Sequence, residues 1–193
     1  MENTKKLNPT ESLSIISEAI NKTKENIKDQ SFYYILWGWL STIASFIHYL
    51  LATFTKYSFD YLPWLILIPL GWIASIWYGI KKSKNKSYET YIELFLKHLW
   101  IVVGLSFIVG VFICVSLKIN PTPIALLLAA IGTLISGLTL KFKPLSIGGV
   151  LLFIFSIVSL FIDTSNILLL HTIALVSGYL IPAYLLKNYK SNV

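Results

Sequence analysis

The run Phe32 to Phe54, FYYILWGWLSTIASFIHYLLATF, decides how this chain is built. Its 23 residues carry no charge. At ~1.5 Å of rise per residue, an α-helix of that length crosses the ~30 Å hydrocarbon core of a bilayer. It is the first such run and everything before it is polar, so it fixes the side on which the chain starts. Trp37, Ser41, Ser45 and His48 follow one another within it at spacings of four, four and three. Such spacings place them on one helix face. A hydroxyl or imidazole turned to hydrocarbon has no partner, so this stripe is expected to point into a bundle while the aliphatic residues meet lipid.

Composition agrees with a membrane protein. Of 193 residues 55% are hydrophobic and 13% charged, against about 25% charged in an ordinary soluble domain; the mean hydropathy is +0.70. The single cysteine, Cys114, lies in an apolar run and excludes an intrachain disulfide. All 16 basic residues are lysine, so no guanidinium fork is available to clamp a phosphate or carboxylate. The net charge of +7 would suggest nucleic acid in a soluble protein; here membrane topology explains it, and no nucleic-acid partner is expected.

Upstream of the first run, residues 1–31 read as a cytoplasmic segment with one amphipathic helix. Asn8, Pro9 and Glu11 form a capping-box pattern. Leu13, Ile16, Ile20, Thr23 and Ile27 then make a thin apolar stripe. It suits a helix lying on the membrane surface or against the bundle, or one that meets a partner or a second copy. No apolar run precedes Phe32, so a cleavable leader is not expected.

Downstream, five more uncharged runs are read as helices over about 61–80, 99–117, 123–140, 145–162 and 167–186. Pro69 is expected to kink the second. Tyr88 to His98 read as a cytoplasmic extension of the third. Small residues at spacings of four, such as Gly71 with Ser75 and Gly132 with Ser136, signal close helix packing. Asn120 to Pro123, Lys141 to Pro144 and Asp163 to Asn166 read as tight turns, and 187–193 as a basic cytoplasmic tail. The expected fold is therefore all-α: a polytopic membrane bundle of six transmembrane helices, occupying 32–186, behind an N-terminal amphipathic helix. With both termini in the cytoplasm, 14 lysines fall inside and 2, Lys56 and Lys118, outside, the bias of a multi-pass protein of the inner membrane. The outer loops are all short, so any work is expected inside the bundle or on the cytoplasmic face. All six tryptophans lie in the first three helices, which gives no support to an inverted duplication of the transporter kind.

Two stretches carry a resemblance. One is Glu11-Ser12-Leu13 with Ile16 and Ile20, leading to Leu36-Trp37-Gly38-Trp39. The other runs from Leu138 to Gly149, LTLKFKPLSIGG. Both resemble a group of uncharacterised small bacterial integral membrane proteins of similar length, over most of the chain. The resemblance implies an inner-membrane protein of about six helices and brings no functional residues with it.

Ionisable groups deep in the membrane are the usual pointers to function. No Asp, Glu, Lys or Arg lies within the six expected cores, which argues against a carboxylate proton relay, a voltage sensor, a paired-acid protease or a serine–lysine dyad. His48 and His171 remain, at similar expected depth on the outer side, with Cys114 near that level. Two imidazoles and a thiolate are zinc- or copper-compatible. No spacing motif joins them, and a neutral histidine hydrogen-bonded inside the bundle is the ordinary alternative. No cofactor is expected. Lys81, Lys82, Lys84 and Lys86 could meet anionic lipid headgroups, although their role as an orientation signal accounts for them. The function expected first is non-enzymatic: signalling or scaffolding with a cytoplasmic partner. A small-molecule or lipid transporter comes second and a metal-dependent membrane enzyme third.

Overall fold

The computed structural model describes the backbone of residues 9–55, 58–84 and 90–188, and the side chains of the same residues from Gln30 onward. It is all-helical, with six helices and no strand among the described residues. Among the described residues five helices are long and apolar enough to cross a membrane.

Helix α1, Pro9–Phe54, runs for 46 residues without a break. The expected surface helix and first span are thus one element. The junction Ile27 to Phe32 contains neither glycine nor proline, so nothing in the local chain stops the helix. Gln30–Phe54 is the part long and apolar enough to span. The stripe from Leu13 to Ile27 lies outside the described side chains.

Helix α2, Leu62–Lys84, carries Lys81, Lys82 and Lys84 in its last turn, where cations favour the helix dipole. Pro69 lies inside it on an exposed face. Helix α3, Tyr91–Ser116, starts well before the apolar core, behind a full capping box of Thr90 and Glu93. Helices α4, Thr122–Thr139, and α5, Lys143–Val158, form a tight hairpin. Lys141 closes it with φ 52°; the Phe142 N–H reaches back to the Gly137 carbonyl at 2.9 Å, ending α4 in the Schellman manner. With 16 residues, α5 is shorter than the ~20 residues a span needs, and the chain turns at Ser159 rather than continuing to 162.

Helix α6, Ile167–Lys187, is interrupted by a π-helical turn, Val176–Leu180. Pro182 explains its place: with no N–H, it leaves the Gly178 carbonyl without its usual partner, and the turn widens.

Packing positions these elements unequally. Helix α1 lies against α2 on one side and α6 on the other, α5 fills in against α4 and α6, and α3 rests on α4. A Cβ at Gly149 would lie 2.6 Å from the Leu134 nitrogen, and one at Gly148 would overlap the Gly178 carbonyl oxygen. The α4–α5 and α5–α6 contacts are therefore backbone against backbone. Helices α2 and α3 expose much of their apolar surface, including Leu65, Ile73, Val102, Ile108 and Phe112, as lipid-facing helices do.

Candidate functional site in the polar layer

The polar stripe of α1 divides between two neighbours. At about 100° per residue, Trp37 and His48 lie within about 20° of each other, while Ser45 is rotated by about 80° from Trp37. Helix α2 faces the first pair and α6 faces Ser45. Trp37 Nε1 donates to Ser75 Oγ on α2 at 3.1 Å. His48 Nδ1 accepts from Trp64 Nε1 on α2 at 3.1 Å. Ser45, fully buried, places its hydroxyl 3.0 Å from the Leu168 carbonyl on α6. Ser41 is half-buried.

Around Ser45 three side chains and one carbonyl acceptor form a shared hydrogen-bond cluster. His171 Nδ1 lies 3.0 Å from Ser45 Oγ, and Thr172 Oγ1 lies 3.1 Å from Ser45 Oγ and 2.9 Å from the Leu168 carbonyl. Two arrangements satisfy these atoms. Either Ser45 donates to the carbonyl and His171 donates to Ser45, or Ser45 donates to His171 and Thr172 takes the carbonyl. For His48 the choice is closed, because an indole N–H only donates. A neutral His48 therefore keeps its lone pair on Nδ1 and its proton on Nε2, which lies 3.6 Å from Asp60 Oδ1.

His48 and His171 are brought onto one tryptophan. The Trp64 ring lies 5.8 Å from the His171 ring, centroid to centroid, while its N–H holds His48. Cys114 is buried in α3. Among the described residues no three of His, Cys, Asp or Glu are grouped so as to hold a metal ion, so Cys114 does not complete a site with the two histidines. The Ser45–His171 pair resembles a nucleophile and base in composition alone; a fully buried hydroxyl offers no approach to a substrate carbonyl.

A second cluster lies nearer the other face. Trp100 Nε1 on α3 donates to the buried Tyr34 hydroxyl on α1 at 3.2 Å, and that hydroxyl also meets Ser136 on α4. The Tyr34, Trp100 and Tyr179 rings sit 5.7 to 6.0 Å apart, joining α1, α3 and α6. The lysine run divides: Lys82 turns to Glu93 at 2.9 Å, Lys81 lies over the Trp77 ring at 5.3 Å, Lys84 is exposed, and Lys86 lies outside the described residues. Two buried hydroxyls, Thr42 and Thr133, have no hydrogen-bond partner among the described residues.

Sequence reasoning missed Asp60, Trp64, Thr172 and the Tyr34–Trp100–Tyr179 cluster. A signal existed for the first two, since Asp60 lies in the short loop before α2 and Trp64 in the first turn of that helix, both close to the end of α1 that carries His48. No protein-family model matches the chain, and neither a curated protein nor a solved structure matches it.

Proposed function

We propose that this chain is a bacterial inner-membrane protein that signals to or scaffolds a cytoplasmic partner, with both termini on the cytoplasmic side. One observation supports this reading most. The first span and the segment before it form a single helix of 46 residues, about 69 Å long, more than twice the ~30 Å hydrocarbon core. A helix whose C-terminal span, Gln30–Phe54, packs against α2 and α6 and whose whole length so exceeds that core is suited to carry a binding surface on the cytoplasmic side. The stripe Leu13, Ile16 and Ile20 is the surface it would present, as a helix laid in an apolar groove. The lysine distribution supports the orientation.

Photocrosslinkers placed in living cells at positions 13, 16 and 20 test the reading against positions 14 and 17. The expected result is one discrete adduct from the stripe positions only. A product of twice the chain mass would make the partner a second copy. Equal labelling at all five positions, or reporter fusions placing Lys84 outside and Asp60 inside, would overturn the proposal.

A further inference from the structure

His48 has two partners that ask for opposite protonation states. Trp64 Nε1 is a donor and requires a lone pair on His48 Nδ1. Asp60 is a carboxylate and is held best by a positive imidazolium, yet it stands 3.6 Å away, beyond good hydrogen-bond range. The neutral ring thus satisfies the first partner and leaves the second slack.

We propose that His48 is a proton-operated latch, in which protonation releases Trp64 of α2 and draws the imidazole to Asp60 in the α1–α2 loop. On protonation, Nδ1 gains a hydrogen and faces the indole N–H donor to donor, so that bond is lost. The charge goes to Nε2 and its carboxylate partner. The ring is reachable for a proton, since its side chain is 20% exposed and that of Asp60 is 35% exposed.

The surroundings leave few other titrating groups. From α1, the neighbouring Tyr49 packs its ring on Phe54. Helix α2 has no acidic residue in its first turn. Helix α6 contributes His171, which touches the Trp64 ring and is bonded to Ser45. Asp60 and His171 are therefore the groups that face His48 among the described residues. Because Trp64 also lies against His171, its release loosens the contact between α2 and the Ser45–His171 layer that ties α1 to α6.

The test uses the full chain in lipid nanodiscs, labelled with 5-fluorotryptophan and followed by fluorine NMR from pH 8 to pH 4.5. There are six tryptophans, and the resonance missing from Trp64→Phe identifies Trp64. The expected result is a one-proton titration of the Trp64 resonance while the others stay in place. His48→Gln, which keeps an acceptor but cannot titrate, should remove the titration. Asp60→Asn should move its midpoint to lower pH, because the carboxylate favours the charged ring. His171→Gln should leave the titration present. A flat Trp64 resonance in the wild-type protein overturns the proposal, as does a titration that survives His48→Gln or disappears only in His171→Gln. Shifts of all the resonances together would signify general unfolding and also count against it.

Discussion

Gly149 in α5 lies against the backbone of Leu134 in α4, whereas Gly71 in α2 lies against the side chains of Leu40 and Trp37 in α1. The two contacts stand for two ways of holding helices together in one bundle. Through α4, α5 and α6, glycines let main chains touch: Gly137 meets the Ser146 nitrogen and Gly148 meets the Gly178 carbonyl. Through α1, α2 and α3, large rings do the work. Trp72 covers Gly104, Trp37 covers Gly71, and Phe32 stacks on Tyr78 at 3.8 Å. Without a hydrophobic force between helices in lipid, packing and interhelical hydrogen bonds remain. The glycine half uses the first almost alone, and the aromatic half uses both.

The difference has consequences for substitution. A backbone atom has nowhere to go, while the end of a side chain can rotate away. Gly149→Ala should give the largest effect, about 3 kcal/mol or more, at or beyond the upper end of overpacking costs. Reversible unfolding in bicelles measures it, and a loss below about 1 kcal/mol would erase the distinction between the halves. Ser45→Ala comes next. It leaves His171 and Thr172 with a methyl where an oxygen stood, and a buried polar group left unpaired is worth about 1–3 kcal/mol. An unchanged midpoint for this variant would mean that the polar layer re-forms without Ser45. Trp37→Phe keeps a ring against α2 but removes the bond to Ser75, so the loss should be near the ~0.6 kcal/mol typical of interhelical bonds in membranes. Gly79→Ala closes the series: its Cβ would meet only the Tyr33 hydroxyl at 3.4 Å, an ordinary contact, so stability should change by no more than about 0.5 kcal/mol. If Gly79→Ala proves as damaging as Gly149→Ala, glycine matters here for a reason other than contact distance.

Much of the architecture was legible residue by residue. The uncharged lengths from Phe32 onward mark the apolar helices, the lysines mark their ends, and the tight turn at Lys141 follows from Lys-Phe-Lys-Pro. The element that fell short was α5, whose apolar run reads to 162 while the helix ends at Val158, because hydropathy does not register where the backbone turns. The π turn of α6 was also hidden. Pro182 announces a disturbance, but its form depends on Gly178 lying against Gly148 in another helix.

By itself the sequence determined that the chain is helical and apolar enough to cross a membrane several times, and that Ser45, His48 and Trp37 belong against protein. These follow from local properties: charge-free length, helical period and the penalty for a polar group in hydrocarbon. Only the tertiary structure decided which partner each one meets. Ser45 and His48 sit three residues apart on one stripe, yet one is held by His171 and Leu168 of α6 and the other by Trp64 of α2. The stripe is wide enough to face two helices, and which two flank it depends on how the whole bundle closes.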